Sequence, residues 1–518
     1  MRGKLVTGEI DQTDTQTDQV PITSYALNLG RDIFIYGTGR VVTPLLGLVT
    51  LPILTRFFGP ADYGVIESIT MVSSIVALFS GLMLESSVQR SYYDYGAEEK
   101  DQRRMVFSTG LLALLVWNVI FLSPVMASVE TIGAMLFSQH DYDSILLVAL
   151  AGIPIHSAFS FLKEIFRLEN QPMRYTWYTV GSAVCSAGLS IIMVVYFGIG
   201  LFGLFLGSVL GSLFILPFLI YSVRGTIRAL FSGSELKRML RYGFPLIPTS
   251  FSIWILTLSD RFFLVKFRDL TEVGLYAIGV KVTQLILLFI TAFGLAWSPF
   301  ILSIYSKDKA EEKRVRARLT TYYVFVLLLL AAFVGSFSRV IIHVLATAEF
   351  VDAFRVVGVL GLGTAAMGVT QVLCTGISIT RETKYFAMYT AVAAGLNMAL
   401  NWIVIPRWGF LGAGITTAIS YILLCVLYYV KSQELYWSPY ELGKLVRMGI
   451  ACVIVVGLGT VYYEDLLLRE ILIKGMLFLG FPVLCVCFNV FSKSELVNVR
   501  NEIFVRLRRL FPEGVIRA

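Results

Sequence analysis

The sequence predicts an all-α polytopic membrane protein of about 14 transmembrane helices, built as two six-helix repeats plus two extra helices. Three observations predict it. First, 56% of the 518 residues are hydrophobic, only 15% are charged, and mean hydropathy is +0.75. A chain of that composition cannot hide its apolar surface in water. Second, apolar runs of about 20 residues follow one another, the length a helix needs to cross hydrocarbon. In lipid the backbone must satisfy its own polar groups, and runs this long do so as helices rather than as the short alternating strands of a barrel. Third, the chain echoes itself. Tyr36-Gly37, Arg56-Phe57-Phe58 and Gly64 return as Tyr242-Gly243, Arg261-Phe262-Phe263 and Gly274. Gly200-Leu201-Phe202-Gly203 returns as Gly409-Phe410-Leu411-Gly412. The offset stays at about 205 to 210 residues, the mark of a duplicated bundle.

Residues 1–30 are polar, with Asp11 to Asp18 where a signal peptide would carry its apolar core, and are expected to form a disordered cytoplasmic tail. The N-terminal six-helix bundle, 31–222, holds expected spans at 33–57, 63–84, 105–125, 143–166, 175–197 and 200–222. A cytoplasmic linker covers 223–242. The C-terminal bundle, 243–430, holds spans at 243–266, 273–304, 319–338, 352–379, 385–405 and 409–430. Two additional spans, 441–462 and 470–492, fill 431–492. Residues 493–518 mix Arg500, Arg506, Arg508 and Arg509 with apolar side chains, the pattern of a basic amphipathic tail on an anionic leaflet.

Lys and Arg concentrate after even-numbered spans, as in Arg90, Lys100, Arg103 and Arg104, whereas the loop 126–142 has neither. The positive-inside rule then puts those loops and both termini in the cytoplasm. The formal charge of +8 is thereby a topology signal and calls for no nucleic acid. The repeats begin six spans apart, so the copies share one orientation about an axis along the membrane normal and enclose a cavity. Cys185, Cys374, Cys425, Cys452, Cys485 and Cys487 lie in or beside apolar runs without zinc spacing, and read as packing residues.

Ionisable groups within spans are costly and face a wet cavity or one another. Arg40 lies about 10 Å into the first span and Lys281 about 12 Å into the eighth. With Glu67 they form a candidate set for one central cavity. Glu67 also reads as a partner neutralising Arg40, or as the carrier of a coupling proton. Gln284, Gln371 and Asn397, with Asn401, could hydrogen-bond sugars; packing between helices is the competing use. Gly203, Gly207 and Gly211 form a face for close helix contact. Pro44 and Pro52, and Pro245 and Pro248, are expected to break the leading helix of each repeat.

Leu54-Thr-Arg-Phe-Phe-Gly-Pro-Ala-Asp-Tyr-Gly64, its partner Ser259-Asp-Arg-Phe-Phe-Leu264 followed by Gly274-Leu-Tyr276, and Asn397, Asn401, Ile405-Pro406 and Gly409-Phe-Leu-Gly-Ala413 carry a family likeness. Over roughly 31–430 the chain resembles the polysaccharide-transporter, or Wzx-type, flippases of the multidrug/oligosaccharidyl-lipid/polysaccharide exporter superfamily. The resemblance implies a bacterial inner-membrane flippase with no catalytic site and no cofactor beyond a coupling H⁺ or Na⁺. Its cargo would be an undecaprenyl-diphosphate-linked oligosaccharide, an O-antigen, capsule or exopolysaccharide repeat unit. Alternating access would move it from the inner to the outer leaflet. A monomer in contact with membrane lipids, polymerase and chain-length machinery is implied. Cations suit a diphosphate, since Arg offers a fork and Lys a point charge. Arg261 then stands between two readings, a substrate contact or part of the architecture shared with Arg56. Two rivals remain: a multidrug or cation antiporter of the same superfamily, which needs an acidic site, and a membrane glycan enzyme, which needs an acidic constellation in a sizeable extramembrane loop.

Overall fold

The computed structural model describes residues 37, 39, 41–96, 98–137, 141–228, 230–462 and 467–491, and all regular structure among them is helical. The tails expected at 1–30 and 493–518 lie outside the described residues. Eleven described helices are long and apolar enough to cross a membrane. Of the first expected span the structure describes α1, Val41–Leu54; the second, eleventh and twelfth spans meet a different arrangement. The second becomes α2, Pro60–Gly81, continued after left-handed Leu82 and Met83 by α3, Leu84–Tyr92. The eleventh and twelfth fall within one 52-residue helical stretch, described below.

From there run α4 (Lys100–Ala127), α5 (Val129–Phe137), α6 (Asp143–Leu168), α7 (Pro172–Ile191), α8 (Gly200–Val223) and α9 (Gly233–Gly243). The loop 126–142 is thus partly helical. So is the linker 223–242, because α9 is amphipathic and docks its apolar side. Its Met239 is buried, Ser232 caps its start, and Tyr95 donates to Glu235 Oε1 at 2.7 Å. In the second half follow α10 (Ile247–Phe267), α11 (Leu270–Tyr305), α12 (Lys309–Ser336), α13 (Ser338–Leu345), α14 (Phe354–Leu373), α15 (Thr375–Ile379) and α16 (Lys384–Leu435), then α17 (Leu442–Val461) and α18 (Leu467–Cys487). Pro245 lies in a 3₁₀ turn, Phe244–Leu246, and Pro248 in the first turn of α10. They start the helix rather than break it, since a fixed φ and a missing N–H suit a first turn.

α16 is two arms, not one rod. Gly409 breaks it at φ 54°, ψ −138°. Asn397 donates to Ser420 Oγ at 3.2 Å, and Thr390 meets Tyr428 at 3.0 Å. A straight helix would hold residues 397 and 420 about 35 Å apart. The chain therefore folds back at Gly409 into two antiparallel arms. The Glu272 carboxylate occupies the place of a Cβ there and accepts from Phe410 N at 2.8 Å.

The corresponding turn of the first half also uses positive φ, at Gly198 and Gly200. Beyond it, α7 and α8 pack face to face. A Cβ on Gly207 or Gly211 would come within 2.5 or 2.3 Å of the Cα of Ser190 or Ser186. Ser190 Oγ donates to the Leu204 carbonyl at 2.7 Å, a bond open only to helices this close.

The halves meet backbone to backbone. A Cβ on Gly64 of α2 would lie 1.9 Å from the Leu270 carbonyl of α11, and one on Gly274 of α11 would lie 1.9 Å from the Pro60 carbonyl of α2. The contact is reciprocal, so the echoing glycines of the two repeats touch each other's chain at a pseudo-two-fold point.

Candidate functional site

One helical turn beyond Gly64, α2 presents Glu67. From α10, Arg261 donates through Nε to Glu67 Oε2 at 2.9 Å. Its Nη1 donates to Asp260 Oδ1 and to the Thr257 carbonyl, each at 3.0 Å. The guanidinium lies 5.6 Å from the Tyr276 ring centre, and the Tyr276 hydroxyl donates to Asp260 Oδ2. Arg261 and Asp260 are 4% and 3% exposed, which puts this pair out of reach of water, while Glu67 is only half-buried. One cation thus faces two carboxylates, one from each half. Such a pair is stable only while complete, because removing a partner strands a buried charge.

Lys281, two turns beyond Gly274 on α11, supplies a second cation. Its Nζ sits 5.4 Å from the centre of the Tyr63 ring on α2 and acts electrostatically on Glu67. Tyr63 in turn packs edge-on against Phe350, at 5.2 Å between centroids. Lys281 is half-buried, and so is Gln284, one turn further along α11.

The remaining candidates scatter. Arg40 lies outside the described residues, and the acid proposed as its partner, Glu67, pairs with Arg261 across the two halves. Asn397 is fully engaged in the α16 hairpin. It accepts from Ser259 at 3.3 Å and Asn401 at 3.0 Å, and Asn401 in turn bonds Thr416. Gln371 abuts Gly294, about 20 Å along α11 from Lys281, with its Oε1 buried and without a hydrogen-bond partner. Two further ionisable groups in the helices, not among those candidates, also have local partners: His156 shares a 3.1 Å hydrogen bond with Ser212, and Arg355 pairs with Asp352 at 2.9 Å. Arg56 is exposed, beside His343 in a groove of about 350 Å³ between α1 and the segment 343–348. Asp62 reaches back to the Gly59 amide at 3.0 Å and caps α2. Among the described residues no cluster of His, Cys, Asp and Glu could hold a metal ion.

The family model for "Polysaccharide biosynthesis protein" matches residues 29–305, over half the chain. The chain belongs to that family. A second model, MatE, matches residues 245–403. An uncharacterized membrane protein of Haemophilus influenzae is 24% identical over 281 residues, 53% of this chain and 65% of its own length. The Lsg locus putative protein 1 of the same organism is 22% identical over 285 residues, 54% of this chain and 67% of its own length. Among solved structures, the lipid II flippase MurJ in its inward closed conformation superposes with a TM-score of 0.68 at 15% identity, covering 87% of this chain and 98% of that one. An inward-facing multidrug resistance MATE transporter gives 0.62 at 16% identity, covering 77% and 97%.

This polysaccharide biosynthesis family member therefore has many helices long and apolar enough to cross a membrane, arranged in a fold similar to those of the MurJ and MATE structures. Two members of its charge cluster escape a reading by depth alone. Asp260 adjoins Arg261 in sequence, and Tyr276 belongs to the same echoing motif, yet neither shows its partner without the crossing of α10, α11 and α2. Chemically the cluster can do one thing well. It can offer a guanidinium fork and an ammonium to an anion that displaces carboxylates.

Proposed function

We propose that this transporter is a flippase for an undecaprenyl-diphosphate-linked oligosaccharide, carrying it from the inner to the outer leaflet of a bacterial inner membrane by alternating access. The observation that carries the reading is a buried cation, Arg261, held between the halves by Glu67 with Lys281 nearby. A diphosphate carries about two negative charges, and bare transfer through hydrocarbon is prohibitive. Its oxygens exchange for the Glu67 carboxylate at the Arg261 fork, while Lys281 adds a point charge and Gln284 a hydrogen bond. The lipid tail stays in the bilayer between the halves. A potential negative inside favours outward movement of two charges by about 4–5 kcal/mol per 100 mV, and inward H⁺ or Na⁺ would change that sum.

A cation antiporter is the second reading, favoured by the MatE match over the second half and by the MATE-like fold. Depletion of the protein separates the two. Lipid extracts are taken from depleted cells and leaflet sidedness is probed with an impermeant glycan label. Undecaprenyl-linked oligosaccharide accumulating on the inner leaflet, with Lys281→Gln reproducing the block in folded protein, supports the flippase. Unchanged sidedness together with lost efflux of cationic drugs supports the antiporter.

A further inference from the structure

At the opposite end of the α2–α3 span from Glu67, the structure holds a cleft of about 500 Å³. It opens where spans end and loops begin: Tyr92 closes α3, Lys100 opens α4, Glu169 follows α6, and Thr226 follows α8. Lys100, Arg103 and Arg104 line it together, one turn of α4 presenting three cations to one space. Arg103 is fixed rather than free to swing. Its Nε and Nη2 donate to the Tyr95 carbonyl at 3.1 and 2.8 Å, and its guanidinium carbon lies 4.8 Å over the Tyr92 ring. Arg104 pairs with Asp101 on its own helix at 3.3 Å, and Lys100 makes no ion pair among the described residues. Glu169 is the carboxylate of the lining, turned in part to Gln171 at 3.0 Å. The first turn of the 28-residue α4 adds its unpaired N–H groups and the positive end of its dipole.

We propose that this cleft binds a phosphate or diphosphate group, carried by an anionic lipid head or by a soluble phosphate ester. The argument is independent of what crosses between the halves. Three cations around a cavity roomy enough for a polar head exceed what topology alone requires, and an anchored Arg103 gives the site geometry as well as charge. The cleft sits at the ends of four helices, on the side bearing the basic loops, where an anionic head would be drawn.

Inorganic diphosphate is the probe, titrated calorimetrically into the full chain in nanodiscs of zwitterionic phosphatidylcholine. One saturable site is expected. Lys100→Gln with Arg104→Gln should weaken it about tenfold or more, each headgroup-level cation being worth on the order of fivefold, with thermal unfolding unchanged. Lys100 is exposed, and Arg104 is half-buried with only the exposed, same-helix Asp101 as its ion-pair partner, so the fold does not rest on them. Glu169→Gln should tighten binding several-fold. Repetition in phosphatidylglycerol nanodiscs then names the source. A weakened apparent affinity means the anionic lipid head already occupies the cleft, and an unchanged one means a soluble phosphate ester is the ligand. Absence of diphosphate binding in phosphatidylcholine, or equal binding by wild type and both variants, overturns the proposal.

Discussion

Arg56 and Arg261 begin the same three-residue motif in the two repeats, yet one is exposed at the rim and the other is sealed between the halves. The register that aligns Gly64 with Gly274 explains the difference. In it, Glu67 of the first repeat corresponds to Ala277 of the second, and in the separate register that aligns Arg56 with Arg261, Thr55 corresponds to Asp260. Arg261 thus meets one acid on its own helix and another from the opposite repeat, whereas the positions corresponding to those two acids hold a threonine and an alanine. Duplication supplied two arginines, and divergence of two other positions decided which one could be buried. A motif shared between repeats therefore marks common architecture, and its functional copy is identified by what faces it.

That comparison breaks most readily at Arg261. Arg261→Gln takes the guanidinium away from buried Asp260 and from Glu67 and should cost about 3–5 kcal/mol, with glycan display lost. Thermal unfolding of the purified protein and a surface-glycan assay read the two effects. Wild-type behaviour of this variant would mean that burial of the second-repeat motif carries no weight. The glycine crossing is next. Gly274→Ala drives a methyl into the Pro60 carbonyl and should destabilise by about 1–3 kcal/mol. Gly181→Ala, where nothing lies within 4 Å, should stay within about 0.5 kcal/mol of wild type in the same melt.

Lys281→Gln sharpens the contrast from the other side. Its ammonium rests over Tyr63 without a hydrogen-bonded lock such as the Arg261 fork, so the fold should lose about 1 kcal/mol at most. Transport should fall about tenfold and recover partly in Lys281→Arg, as expected of a charge that meets an anion. The smallest effect belongs to Arg56→Gln, which should change stability by less than about 0.5 kcal/mol and transport by less than about twofold. A large loss there would return the first-repeat motif to the site.

Much of this was legible before any coordinates. Apolar length marks most of the membrane-length helices, and the echoing Gly64 and Gly274 form a close contact between α2 and α11. What apolar length cannot convey is which face of one span meets which face of another. Depth along the chain offers Arg40 as a partner of Glu67, and Arg40 lies outside the described residues; the crossing of α2 and α10 brings Glu67 to Arg261, far away in sequence. Asn397 was visible as a polar group inside a span. That its amide is consumed by Ser259, Asn401 and Ser420 follows only once the chain reverses at Gly409. Amphipathic α9 was hidden for a different reason: an 11-residue helix is short enough to pass for a linker.

The reciprocal contact at Gly64 and Gly274 also has a mechanical side. α11 has 36 residues, about 54 Å of rod, and Gly274 stands near one end of it. A lever held that close to its tip moves unequally. A turn of 10° about the crossing would carry the far end of α11 through about 8 Å while the near end shifts by about 1 Å, on helix dimensions alone. The two faces of the membrane would then experience one rotation as a wide gape and a slight shrug, and agents that wedge the wide side should arrest the cycle far more effectively than any bound at the narrow rim.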